Sequence, residues 1–179
     1  NLDLWAEYAD GKVTKEELNR QRYLYPLEAV GAGDSTLAKA YERDALTMIP
    51  TKSKLMPHAR EVLEYLSGKY NLYILSNGFK ELQSHKMRSS GIDEYFKKVV
   101  LSDDIGILKP WPEIFHFALS TTQSELNNSL MIGDSWENDI VGAAGVGMHQ
   151  VFYNLSGRTD LPFAPTYQIT DLKDLFNFL

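Results

Sequence analysis

Two carboxylates, an ammonium, a hydroxyl and an amide follow three apolar segments of this sequence. In "SLMIGDSWENDI" a short apolar run ends in Asp134, and a second carboxylate, Asp139, comes five positions later. Lys109 lies in the loop "DDIGILKP", and Ser76 and Asn77 directly follow "NLYIL". Residues of these types are common in catalytic and binding sites, and the positive and donor groups among them suit a small anionic substrate.

Each of these residues also has a purely structural interpretation. Ser76 and Asn77 suit the start of a helix, and an isolated lysine such as Lys109 is usually a solvated charge. Asp134 would suit an N-cap and Asp139 the first turn of a helix, where the dipole favours a carboxylate. Capping alone does not require Asp134, because the neighbouring Ser135 would serve equally well. The combination at three successive segment ends therefore favours a site.

The elements that must position these residues follow from hydrophobic periodicity. Residues 1–52 show only helical patterns, with Thr14 and Glu17 as a predicted capping box and a second helix after Asp34. The remainder, 53–179, alternates helices with apolar strands, which predicts an α/β fold, a parallel sheet with helices on both faces. The predicted strands are 71–75, 98–102, 129–133 and 149–153, and the predicted helices begin near 57, run from 79 to Gly91, begin at Pro112, run from 137 to 144 and close the chain in "TDLKDLFNFL".

Ligands of such sheets bind beyond the carboxyl ends of the strands. Ser76 and Asn77 follow one predicted strand, Asp134 follows another, and Lys109 lies in the loop after a third. We therefore expect these groups, with Asp139, to meet at one edge of the sheet.

Composition excludes several classes of protein. The 179 residues contain no cysteine, which rules out disulfides and thiolate zinc sites and makes the cytoplasm the expected compartment. No apolar run approaches the about 20 residues that cross a bilayer, so no membrane association is expected. A net charge of -6 argues against a nucleic acid polymer as partner. The four histidines lack metal-ligand spacing, and the oligomeric state is not predicted.

Three short segments of the sequence resemble motifs of a known family. Ser76 after "LYIL", Lys109 in "GILKPWPEIF", and "IGDSWENDI" are similar to the second, third and fourth motifs of the haloacid dehalogenase (HAD) superfamily. The resemblance implies a Rossmann-like HAD core at 53–179 and a partial all-helical cap domain at 1–52. Within the superfamily, "LWAEYADGKVTKEEL" and "SNGFKELQ" look most like the pyrimidine 5'-nucleotidase group.

The family's first motif has no counterpart in this chain. That motif, Asp-x-Asp after the first strand, supplies the nucleophile and the general acid/base, and nothing in residues 1–50 resembles it. We expect it upstream of residue 1, so the core at 53–179 lacks its first strand. The 179-residue chain alone is expected to be inactive.

The resemblance also implies an activity and roles for individual residues. The expected activity is Mg²⁺-dependent hydrolysis of a small phosphorylated metabolite, in particular a nucleoside monophosphate, through an aspartyl-phosphate. Asp134 would bind the metal, and Asp139 would either hold a metal-bound water or orient the site without binding the metal itself. Ser76 and the Asn77 N–H would donate to the phosphoryl oxygens, and Lys109 would pair with the nucleophile and the phosphate.

Other functions compete with this one. Within the superfamily, the alternatives are haloacid dehalogenation, which needs no Mg²⁺, and a non-catalytic binding module. The order Ser76, Asp134, His149 imitates an α/β-hydrolase, but "LSNG" lacks the Gly-x-Ser-x-Gly elbow. The glycines of "GAG" and "GAAGVG" do not match a dinucleotide-binding motif.

Overall fold

The structure, a computed structural model, describes residues 2–179, which form two units that divide between Ser53 and Lys54. The first unit is helical, and its described residues contain no strand. Its elements are α1 (Leu2–Ala9), α2 (Lys15–Ala29), α3 (Ser35–Met48) and a 3₁₀ turn at Ile49–Thr51.

Side-chain caps begin the second and third helices. Thr14 Oγ1 accepts the Glu17 N–H at 3.1 Å, which confirms Thr14 as the N-cap of α2. The Glu17 carboxylate does not complete a capping box, because it accepts hydrogen bonds from Arg20 and Gln21 instead. Asp34 caps α3 by accepting the Thr36 N–H at 2.7 Å. Both helices therefore begin where the sequence predicts.

The second unit contains the predicted helices and strands in the predicted order, together with one strand that was not predicted, at Tyr167–Ile169. Gly91, at φ +62°, ends α5, and Pro112 is the first residue of α6, both as predicted. The elements are α4 (Ala59–Ser67), β1 (Leu72–Ser76), α5 (Lys80–Ser90), β2 (Phe96–Leu101), α6 (Pro112–Thr122), β3 (Leu130–Gly133), a π-helical turn Trp136–Val141, α7 (Gly142–Gly145), β4 (His149–Tyr153), β5 (Tyr167–Ile169) and a 3₁₀ helix Leu172–Asn177, with 3₁₀ turns at Asp93–Tyr95, Ser102–Asp104 and Leu126–Asn128.

Two predicted helices are wound differently from an α-helix. The segment predicted at 137–144 begins as the π-helical turn, in which the Ile140 N–H lies 3.3 Å from the Ser135 carbonyl, five residues back. The C-terminal helix is 3₁₀, and Asp171 is its N-cap, whose carboxylate accepts the Lys173 N–H at 2.9 Å. Periodicity locates such short helices but does not fix their winding.

All paired strands are parallel, as predicted. One sheet contains β1 and β2, with Ser76 opposite Leu101, and the other contains β3, β4 and β5, with Gly133 opposite Phe152. Within residues 2–179, β1 pairs with β2 alone and β3 with β4 alone. Each of β1 and β3 therefore has one edge without a strand partner in the described chain.

The core of the second unit is built from apolar side chains of the helices and strands. Phe115 and Ile114 of α6 are fully buried against Ala143 and Met148. A Cβ at Gly142 would lie 2.6 Å from the Phe115 ring, so only glycine allows this close packing. Within residues 2–179, no helix has the length and apolarity to cross a membrane.

Replacing the buried ring tests this core. Phe115→Ala should lower the free energy of unfolding by about 3–5 kcal/mol, because a fully buried ring leaves a cavity. The control Phe117→Ala removes the same atoms from a half-buried position of the same helix and should cost less. Urea unfolding followed by circular dichroism measures both, and equal losses would contradict the assigned packing.

A histidine–aspartate contact joins the start of α4 to the C-terminal helix. His58 Nδ1 lies 2.7 Å from Asp171 Oδ1, and the same carboxylate accepts the Lys173 N–H. The Lys173 N–H and then His58 hold the pKa of Asp171 below its usual value. A carboxyl group whose pKa is lowered on folding stabilises the fold at pH values above its ordinary pKa of about 3.9. This contribution is lost as the pH falls through the lowered pKa of the folded state.

The pH dependence of this contact is testable with Asp171→Asn. The variant should melt at a lower temperature than the unsubstituted protein between about pH 5 and 7, and the difference should close as pH falls below about 4. Asp93→Asn is the control, because the Asp93 carboxylate has no hydrogen bond or ion pair among the described residues. A difference in melting temperature that persists unchanged at pH 3 would show that the charge of Asp171 is not responsible.

Candidate active site

The predicted site residues all lie in the second unit, at or after the ends of strands. Ser76 is the last residue of β1 and Asn77 follows it, whereas Asp134 directly follows β3. Lys109 lies in the loop between β2 and α6, and Asp139 lies in the π-helical turn. Lys109 forms hydrogen bonds with two of the others, Asn77 and Asp139.

A buried ion pair joins Lys109 to Asp139. The Lys109 ammonium lies 2.6 Å from Asp139 Oδ1, and the two side chains are only 10% and 7% exposed. The same ammonium donates to the Leu75 carbonyl at 2.9 Å. Lys109 therefore connects the end of β1 with the turn after β3, which belongs to the other sheet. An ammonium has three N–H donors, so one remains for an anion.

Asp139 is held in place by the turn that carries it. Its Oδ2 accepts the Ser135 N–H at 3.0 Å, and its own N–H donates to the Ser135 carbonyl at 2.8 Å. A Cβ at Gly133 would lie 2.3 Å from Asp139 Oδ2, so glycine is required where the strand ends. This close approach explains why a glycine precedes Asp134.

The side chain of Asn77 binds both backbone groups of Lys109. Asn77 Oδ1 accepts the Lys109 N–H at 2.8 Å, and Nδ2 donates to the Lys109 carbonyl at 3.0 Å. The peptide bond between Lys109 and Pro110 is cis. Sequence reasoning assigned only the backbone of Asn77 and missed this clamp, because no spacing pattern connects two residues 32 positions apart.

The Ser76 hydroxyl faces the turn that follows β1. Its Oγ accepts the Gly78 N–H at 2.9 Å and lies 3.4 Å from Gln83 Nε2. In this arrangement the oxygen is an acceptor, so its own O–H is free to donate to a ligand. These bonds are compatible with the predicted role of Ser76 as a hydrogen-bond donor to phosphoryl oxygens.

Asp134 differs from Asp139 in exposure and in bonding. Its side chain is exposed and has no hydrogen bond or ion pair among the described residues. The interpretation of Asp134 as a helix N-cap is wrong, because Ser135 Oγ accepts the Asn138 N–H and takes that role. A free carboxylate at a strand end suits Mg²⁺, which binds one or two carboxylates together with waters. Throughout residues 2–179, no group of three or more His, Asp or Glu could enclose a metal.

The serine-hydrolase alternative fails on geometry. His149 is the first residue of β4 and lies opposite Leu130, the first residue of β3. Asp134 follows the carboxyl end of β3, which is parallel to β4, so His149 and Asp134 lie at opposite ends of neighbouring strands. Asp134 therefore cannot orient His149 as the acid of such a triad does.

Comparisons with known proteins identify relatives of this chain. A family model described as haloacid dehalogenase-like hydrolase matches residues 3–147. HAD-hydrolase YfnB of Bacillus subtilis (strain 168) is 30% identical over 183 residues, covering 100% of this chain and 76% of YfnB. The crystal structure of YfnB bound to magnesium has a TM-score of 0.89 at 28% identity, covering 99% of this chain and 78% of that chain.

Two further relatives differ in activity. The pyrimidine 5'-nucleotidase YjjG of Escherichia coli (strain K12) is 29% identical over 181 residues, covering 100% of this chain and 79% of YjjG. The structure of a 2-haloacid dehalogenase from Pseudomonas syringae pv. Tomato DC3000 has a TM-score of 0.69 at 26% identity, covering 97% of this chain and 78% of that chain. The similarity extends over nearly the whole chain in each case.

The buried ion pair makes a prediction about stability. Asp139→Ala should lower the free energy of unfolding by about 3–5 kcal/mol, because it leaves the Lys109 charge buried without its partner. The double variant Lys109→Met, Asp139→Leu should recover most of this loss. Asp134→Ala is the control and should be nearly neutral, since Asp134 is exposed and unpartnered among the described residues. Urea unfolding that gives the same small loss for Asp139→Ala and Asp134→Ala would contradict the assignment.

Proposed function

The chain belongs to the haloacid dehalogenase-like hydrolases, and from this premise we propose that it is a Mg²⁺-dependent phosphatase of small phosphate monoesters, in particular nucleoside monophosphates. The observation that carries the proposal is the Lys109 ammonium, which Asp139 and the Leu75 carbonyl hold while one of its donors is left for an anion. The nucleotidase YjjG supports the narrower substrate class. Phosphoryl transfer depends mainly on positioning and electrostatic stabilisation, which these groups supply.

The proposed metal ligand is Asp134. Its exposed carboxylate follows β3 directly and makes no competing bond in the described chain, so the residue fits a cation that keeps several waters. Bound Mg²⁺ would reduce the repulsion between an anionic nucleophile and the phosphate. The magnesium-bound structure of the relative YfnB supports Mg²⁺ as the metal.

Residues of this chain would bind the phosphoryl group around the metal. Ser76 would donate its O–H and Asn77 its backbone N–H to phosphoryl oxygens, and Lys109 would donate the remaining N–H of its ammonium. Both Asp139 oxygens already accept hydrogen bonds, from Lys109 and Ser135. Asp139 therefore acts first by positioning Lys109, and its contact with a metal-bound water would come in addition.

We propose that the nucleophile is an aspartate upstream of residue 1, on a strand that pairs with β1 and β3. In the described chain each of these strands has one unpaired edge, and such edges readily accept another strand. The aspartate would attack phosphorus and displace the alcohol, and water would then cleave the aspartyl-phosphate to give inorganic phosphate. Residues 1–52 would be part of a helical cap domain that selects the substrate.

Dehalogenation is the second candidate, because a 2-haloacid dehalogenase shares the fold. In that reaction the carboxylate attacks carbon and releases halide, and no Mg²⁺ is needed. An exposed Asp134 after β3, with no partner among residues 2–179, has no evident use there. A non-catalytic binding module would not need an exposed carboxylate at Asp134 beside the buried pair of Lys109 and Asp139, so these residues favour an enzyme.

Hydrolysis by the full-length native protein tests the proposal. p-Nitrophenyl phosphate and a panel of nucleoside monophosphates should release phosphate only with Mg²⁺, and Asp134→Ala should abolish release. Lys109→Met should lower kcat by about 100-fold or more, because it removes a preorganised cation. The control Asp93→Ala, another exposed carboxylate, should be as active as the unsubstituted protein. Halide release from 2-haloacids without phosphate release from any ester would replace the proposal with dehalogenation.

A further inference from the structure

A loop between β4 and β5 packs on the residues that directly follow Asp134. Trp136, two residues after Asp134, is 3% exposed. Its ring centroid lies 5.2 Å from that of Phe152 and 4.9 Å from that of Phe163 in the loop. The guanidinium of Arg158, also in the loop, lies over the Trp136 ring at 5.7 Å from the centroid. The loop therefore covers one side of the turn that carries the predicted metal ligand.

The backbone of Arg158 is fixed to the sheet through Asn154. The buried Asn154 side chain accepts the Arg158 N–H at 2.9 Å and donates to the Arg158 carbonyl at 2.8 Å. The Asn154 N–H donates to the Ile169 carbonyl at 2.8 Å, next to the end of β5. Arg158 is thus presented from a rigid position although it lies in a loop.

The side chain of Arg158 reaches back to the turn after β3. Its Nη1 donates to Glu137 Oε1 at 2.7 Å, and its Nε lies 3.3 Å from Asp160 Oδ1. Glu137 is 68% exposed, so this ion pair contributes little to global stability. Its effect is on position: Arg158 holds both Trp136 and Glu137, which are two and three residues from Asp134.

We propose that Arg158 is a positioning residue for the metal site, which holds the turn 134–139 so that Asp134 is presented to Mg²⁺. The inference rests on the proposed function, because Asp134 is the metal ligand there. Ser135 and Asp139 hold the inner side of the turn through their hydrogen bonds, and Arg158 holds the outer side. Without Arg158 the turn must be ordered when the metal binds, and this ordering weakens affinity.

The test is Mg²⁺ binding by the full-length native protein, measured by isothermal titration calorimetry without substrate. Arg158→Gln should raise the Kd for Mg²⁺ roughly tenfold, as loss of an outer positioning contact does at other metal sites. Arg158→Lys, which keeps the charge, should recover part of the affinity. Glu61→Gln is the control: it removes an exposed partner of a remote surface ion pair, with Lys173, and should leave the Kd unchanged.

A second readout follows the turn without metal. In protein labelled with 5-fluorotryptophan, the ¹⁹F resonance of Trp136, assigned with Trp136→Phe, should broaden or shift in Arg158→Gln and not in Glu61→Gln. An unchanged Kd in folded Arg158→Gln would overturn the inference and leave the proposed function intact. If the unsubstituted protein does not bind Mg²⁺, or if Asp134→Asn binds it equally well, the metal site itself is overturned, and the inference with it.

Discussion

The arrangement of the site depends on one buried ion pair. Lys109 comes from the loop after β2, Asp139 comes from the turn after β3, and the two bond at 2.6 Å. Through its second bond, to the Leu75 carbonyl, the ammonium also meets the end of β1. One side chain thus links the end of β1 to the turn that follows β3, and these two strands belong to separate sheets of the described chain.

A buried pair of this kind is weak evidence for stability, since desolvation offsets much of the attraction between the charges. The pair instead fixes the positions of Lys109 and Asp139, because the groups bonded to them are themselves held in place. Asn77 holds the backbone of Lys109, and Ser135 holds the second oxygen of Asp139. Asp134 is left outside this network with a free carboxylate. The site therefore combines a fixed cation with an uncommitted anion, which suits a metal and a phosphate side by side.

The sequence predicts the strand ends well, because apolar runs and the residues that follow them are local signals. Ser76 and Asp134 lie at strand ends for that reason. The clamp between Asn77 and Lys109, and the contact of Arg158 with the turn after β3, were not predictable, because they join residues 32 and 21 positions apart and depend on packing. Winding was also missed, since each of these segments has only six residues, which is too short for apolar spacing to distinguish a π-helical turn or a 3₁₀ helix from an α-helix. The proposed further strand between β1 and β3 rests on the motif that residues 1–50 lack and on the unpaired edges of these two strands in the described chain.

We propose that the Lys109 ammonium and the Asp134 carboxylate serve chemistry at phosphorus. Exchange of ¹⁸O between labelled water and inorganic phosphate, followed by ³¹P NMR with the full-length native protein, tests this without any assumption about the substrate. We expect Mg²⁺-dependent exchange that Lys109→Met suppresses. Incorporation of ¹⁸O into a 2-hydroxy acid formed from a 2-haloacid, with no label entering phosphate, would contradict it.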